Sequence, residues 1–160
     1  MRKFEKISFE QFKKDVSDDI ELYNSIELPK RSTKKSAGYD IRSVEAGIIK
    51  PNEAKSFKTG LKVCMNEDEV LYIYSRSSYG YKHNVCLMNS VGVIDSDFYN
   101  NEDNEGHFQI RLLNLGDKDF EVKLGDRIAQ GVFMKYLTVE DEEEIKNKRN
   151  GGIGSTNKEE

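Results

Sequence analysis

Asn89, Ser90, Val91, Gly92, Val93, Ile94 and Asp95 form a short apolar run that ends on a carboxylate, with Ser96, Asp97, Phe98 and Tyr99 behind it. A carboxylate at the end of a buried strand is held rigidly beside a cleft, where it can take a proton from water, so Asp95 is a candidate general base. An aspartate that merely opens a turn would read the same over so few residues. Three more polar clusters accompany it: Ser75 to Ser78, Arg127 to Gln130, and a glycine-rich terminus from Arg149 to Thr156. Four such clusters on one small chain predict one shared site.

Each cluster has its own chemistry. Arg76, Ser77 and Ser78 directly follow the apolar run from Val70 to Tyr74, and a guanidinium fork with adjacent hydroxyls and amides at a strand end makes an anion cradle. An ordinary polar turn is the alternative. Gln130 can donate and accept, which suits a phosphate oxygen or an ordered water, while Arg127 fits a structural ion pair. The tail glycines permit close backbone approach to a ligand, and Arg149, Ser155 and Thr156 add donors; taken alone, the tail reads as disordered. Asp40 either orients a hydrated Mg²⁺ riding on a polyphosphate or pairs with an arginine such as Arg76, and the two are compatible.

These residues need a scaffold, and the chain has the length for one domain, residues 1–160. Residues 1–20 form an N-terminal helical extension. Ser8, Phe9, Glu10 and Gln11 make a capping box, with Phe9, Phe12 and Val16 at helical spacing behind it. From Ile41 to Tyr136, short runs of β-branched and aromatic residues are divided by turn signals, which predicts an all-β sandwich or jelly roll. Phe108, Ile110 and Leu112 alternate with polar positions, as do Phe120, Val122 and Leu124 beyond the turn from Asn114 to Asp117, so the two segments are expected to form a hairpin. Residues 137–160 are an acidic linker and a flexible C-terminal arm.

Bulk properties narrow the function. Hydrophobic residues make up 36% of the chain and charged ones 34%, lean for a self-sufficient core, which predicts apolar surface covered by a partner subunit. A net charge of -4 argues against a nonspecific grip on nucleic acid. Neither a signal-peptide core nor a membrane-length apolar segment is visible, which predicts a cytoplasmic protein that binds no membrane. Cys64 and Cys86 lack metal-ligand spacing and are expected to be buried thiols.

Read together, the clusters resemble the five ordered motifs of the homotrimeric dUTPases. Ala37 to Ser43 is similar to the first motif, Arg76 to Ser78 to the second, Asn89 to Phe98 to the third, Gly125 to Gln130 to the fourth and Arg149 to Thr156 to the fifth. The resemblance implies a jelly-roll subunit in a homotrimer, with sites at subunit junctions and the C-terminal arm closing over them. It implies Mg²⁺-assisted hydrolysis of dUTP to dUMP and pyrophosphate, Asp95 activating a water that attacks the α-phosphorus. Arg76, Ser77, Ser78 and Gln130 would hold the phosphates, Arg149, Gly154, Ser155 and Thr156 would close on the γ end, and Asp40 would stand near the water shell of the ion. Asn89 and the hairpin backbone of Gly92, Val93 and Ile94, returning near Gln109, would read the uracil edge.

The chain also departs from the family pattern. Phe98 stands where a tyrosine usually faces deoxyribose, with Tyr99 next to it; Ser75 stands where proline is common; Ile153 replaces the aromatic that stacks on uracil, one residue closer to Arg149 than usual. Residues 99–106 are an acidic, asparagine-rich insertion, read as a solvated loop, with a docking surface for a protein partner as the other reading. The related dCTP deaminases carry a catalytic glutamate where this chain has Arg111, which cannot serve as a base.

Overall fold

Lys3–Lys6 turns Phe4 inward onto the rings of Tyr39 and Phe133, at centroid distances of 5.5 and 5.4 Å. The computed structural model, which describes residues 1–145, 149, 151 and 152, thus opens with a strand, β1 (Lys3–Lys6). Helices α1 (Phe9–Asp15) and α2 (Ile20–Ser25) follow, then β2 (Lys30–Arg31), β3 (Tyr39–Arg42), β4 (Gly47–Ile49), β5 (Ala54–Lys58), β6 (Leu61–Cys64) and β7 (Glu69–Ser75). After α3 (Ser77–His83) come β8 (Val85–Leu87), β9 (Gly92–Asp95), a 3-10 turn (Ser96–Phe98), β10 (Gln109–Asn114), β11 (Phe120–Val122) and β12 (Arg127–Lys135). The N-terminal extension therefore carries a strand besides the expected helix, and a second helix follows from its last residue.

The strands make jelly-roll-like antiparallel sheets in the orders β1-β6, β5-β10-β8, β11-β4 and β2-β3-β12-β7-β9. Between them lies a core that includes Ile41, Phe57, Leu71, Ile110, Leu112 and Ile128, each at most 2% exposed. A smaller cluster of Ile7, Phe12 and Val44 seats α1. Among the described residues, no helix is long and apolar enough to cross a membrane.

Two expected pairings are corrected. The segment from Phe120 does not pair with β10: β11 pairs with β4, while β10 lies between β5 and β8. Fully buried Asn114 causes the change of sheet, because its side-chain amide donates to the carbonyls of Ile49 and Lys118, both at 2.8 Å, and its oxygen accepts from Gly116 N. Period-two alternation reports a buried face, not the partner strand. Leu124, expected inside, is 56% exposed. Likewise β9 pairs with β7 rather than returning onto β10. Cys64 and Cys86 are half-buried, not buried.

The capping box is half realised. Gln11 N donates to Ser8 Oγ at 3.1 Å, a cap that stabilises α1 by about 1 kcal/mol. The reciprocal acceptor comes from elsewhere: Ser8 N donates to Glu105 Oε2 at 2.9 Å.

Candidate active site

Asp95 ends β9 at the rim of a cavity of about 730 Å³, which Asn89, Gly92, Val93, Ile94, Phe98 and Gln109 also line. Close contact between β9 and β7 holds this wall, and glycine makes the contact possible: a Cβ on Gly92 would stand 2.9 Å from Ile73 Cβ. The Asp95 side chain is 48% exposed, open to solvent on the cavity side. Arg149 Nη2 lies 2.5 Å from Asp95 Oδ2, and its Nε donates to Asp97 Oδ1 at 2.8 Å. Gly152 rests against the Phe98 ring, where a Cβ would come within 2.7 Å of Cε2, so the arm follows this path only with glycine there. The expected partner of Arg149 was a terminal phosphate; here the guanidinium lies on the candidate base. Ile153, Gly154, Ser155 and Thr156 lie outside the described residues.

Of the two adjacent aromatics, Phe98 lines the cavity. The Tyr99 hydroxyl instead donates to the Glu5 carboxylate on β1, and its ring does not line the cavity, so of the two readings left open by the sequence this geometry favours Phe98.

Arg76, Ser77, Ser78 and Gln130 do not line this cavity. They gather at the other end of the same sheet. Gln130 pairs with Tyr74 on one side and Asp40 on the other, and its Nε2 donates to Ser75 O at 3.1 Å. Arg76 precedes α3, with Ser77 and Ser78 in the first turn of that helix, and donates from Nη1 to Arg127 O at 3.1 Å. Asp40 is committed to its neighbours: Oδ2 accepts from Arg127 at 3.1 Å and from Ser32 at 2.9 Å, and Oδ1 lies 3.9 Å from Arg76 Nε. The ion-pair reading of Asp40 and Arg127 is the one this geometry favours.

Strand register gives the separation. Asp95 pairs with Val70, whereas Arg76 lies six positions further along the same extended chain; at roughly 3.3 Å per residue that is about 20 Å. Within one chain, the four clusters therefore do not all lie together. A single copy presents two groups of candidate residues, one around the cavity that Asp95 lines, the other a cluster of guanidinium, hydroxyl and amide groups.

Several residues on the cavity wall escaped the sequence reading. Asp15 at the end of α1 and His107 both line it, joined by a 2.5 Å contact between Asp15 Oδ2 and His107 Nδ1. His107 Nε2 accepts from Gly60 N at 3.0 Å, which requires the tautomer protonated on Nδ1 and donating to Asp15. Burial pushes the His107 ring below its ordinary value, consistent with a neutral imidazole bonded on both nitrogens. A carboxylate in the last turn of a helix opposes the macrodipole, the one signal in the sequence that Asp15 has a partner elsewhere.

The insertion is folded, which corrects its reading as a solvated loop. Asn101 is 7% exposed and organises it, donating to Phe98 O at 2.8 Å and accepting from the amides of Asp103 and Asn104, both at 3.0 Å. Glu105 grips Ser8 and Lys62, binding the loop to the N-terminal segment.

Similarity to known proteins agrees with this geometry. A family model described as dUTPase matches residues 24–157. The deoxyuridine 5'-triphosphate nucleotidohydrolase of Lactococcus lactis is 50% identical over 132 residues, 82% of this chain and 88% of its own. A dUTPase structure from Streptococcus mutans superposes with a TM-score of 0.72 at 40% identity, covering 86% of this chain and 98% of that one. A mutant dUTPase of S. aureus phage phi11, described as coordinating a structural Mg(II) ion, shares the fold at 21% identity and a TM-score of 0.66, over 92% of this chain and 97% of its own. With a family match across most of its length and a half-identical nucleotidohydrolase among its relatives, the chain belongs to the dUTPase family.

Proposed function

We propose that the chain hydrolyses dUTP to dUMP and pyrophosphate at a site completed by a second copy of itself. The separation of the two groups carries this reading, since neither one brings both the candidate base and the anion-binding side chains to a single triphosphate. Asp95 accepts a proton from a water, the water oxygen bonds to the α-phosphorus, and the bond to the bridging oxygen breaks so that pyrophosphate leaves. The Asn89 amide, the backbone of Gly92, Val93 and Ile94, and Gln109 read the uracil edge, with the face of Phe98 against the deoxyribose. Arg76, Ser77, Ser78 and Gln130 of a neighbouring copy hold the phosphates. For Arg149 the reading requires a move from Asp95 towards the γ end as substrate arrives, with residues 153–156 following it as a lid.

A closed homotrimer is the assembly proposed, one site per junction, with residues 1–160 as a single unit in the cytoplasm. Among the described residues, no group of three His, Cys, Asp or Glu could hold a metal, and both Asp40 oxygens face cations already in place. The donor set therefore does not suit a resident metal. Mg²⁺ belongs to the substrate, carried on the triphosphate, where it offsets charge.

Pyrophosphate release from a panel of dUTP, UTP, dCTP and dTTP tests the assignment. Turnover of dUTP well above the other three is expected. Formation of dUTP or dUMP from dCTP at a comparable rate would establish a deaminase instead, a reaction for which Arg111 supplies no base.

A further inference from the structure

We propose that Asp15 is a positioning residue for the nucleobase end of the cavity, acting through His107 and making α1 a working wall of the site. The proposal rests on the dUTP reading and adds to it a residue from a segment outside all five motifs.

His107 is 5% exposed and held at both ring nitrogens, by Asp15 on α1 and by Gly60 N in the turn between β5 and β6. The chain just after it is pinned as well: Thr59 Oγ1 donates to Phe108 O at 2.6 Å, and Asn104 Nδ2 donates to His107 O at 3.2 Å. The next residue, Gln109, is the one assigned to the uracil edge. The Asp15–His107 bond thus sets the angle at which the chain enters β10, two residues before a contact with the base.

Helix α1 is well placed to exert this control because polar anchors hold it at both ends. Its buried residues are Gln11 and Phe12, and Phe12 sits, with Phe9 against it, in the small cluster apart from the main core. Glu105 fastens its first turn through Ser8, and His107 fastens its last. Both anchors come from the stretch that follows Phe98, so hydrogen bonds tie α1, the insertion and the aromatic wall of the cavity together. Lys58 and Glu45 are the other charged groups acting on the His107 ring.

The test combines kinetics with a direct view of the ring. The chain has two histidines, so ¹⁵N-histidine signals of the wild-type protein are assigned with His83→Gln alone. Saturation with dUMP should shift the His107 ring signals and leave those of exposed His83 in place. In Asp15→Ala, KM for dUTP should rise about tenfold while kcat stays within about twofold, the pattern of lost binding geometry rather than lost chemistry. Asp15→Asn keeps an oxygen to accept the Nδ1 proton and should return KM close to wild type. A purely structural helix would lower thermal stability without this split or rescue. The proposal is overturned by His107 signals that do not respond to saturating dUMP in the wild-type protein, or by an unchanged KM in folded Asp15→Ala. Wild-type protein that neither binds dUMP nor cleaves dUTP would overturn the functional reading itself.

Discussion

Asp95 and its surroundings show what single residues contribute. Replacing Asp95 with Asn keeps the shape and removes the base, so kcat for pyrophosphate release should fall by about 10²–10⁴ while KM changes little. His107 makes a second prediction, with a definite sign. Burial, the main cause, holds its folded value below the ordinary histidine value of 6.5, against the opposing pull of Asp15. Between those two values the unfolded chain binds more protons, so stability is complete above about pH 6.5 and is lost as pH falls through that window. Asp15 has its own lowered value: burial would raise it, but the hydrogen bonds from His107 and Gln11 prevail, so its contribution fades only below about pH 3.8. Urea midpoints at pH 7.5 and 5.5 should show the loss in the wild type, and His107→Asn should flatten it. The motif residues were legible because chemistry clusters them within a few positions. Asp15 and His107 are 92 positions apart, a distance over which no local spacing rule operates.

At the element level, the insertion after Phe98 behaves as a buckle rather than a display loop. Asn101→Ala would leave the amides of Asp103 and Asn104 without their acceptor and free the Phe98 carbonyl from its donor. The expected cost is about 2–3 kcal/mol, read as a lower melting temperature, with a weakened KM because Phe98 lines the cavity. An unchanged KM alongside that destabilisation would mean that the loop stabilises the fold without shaping the site. The sequence made the strands of the sheets legible and misassigned two pairings, the first of them for a clear physical reason. Alternation in β10 and β11 records which side chains point inward, and the buried Asn114 that sends the chain to another sheet looks in sequence like any polar turn residue. The N-terminal strand was missed because Phe4 and Ile7 alone, among charged neighbours, make no strand-length pattern.

For the whole molecule, the register of β7 decides the outcome. It puts Asp95 beside Val70 and Arg76 beyond Ser75, so the groups proposed to activate water and to hold phosphate stand about 20 Å apart in one copy. The five motifs named candidate residues, and the family resemblance implied sites at subunit junctions, but motif order carries no distance and could not say which clusters stand apart within one copy. Subunit exchange tests the division most directly. Asp95→Asn and Arg76→Ala chains, each nearly inactive alone, are denatured together in equal amounts, refolded and assayed for pyrophosphate release from dUTP. Each site needs an intact Asp95 from one copy and an intact Arg76 from another, so random assembly should restore roughly a quarter of wild-type activity. Activity no higher than that of the two variants refolded separately, while wild type treated the same way recovers, would contradict a site shared between copies.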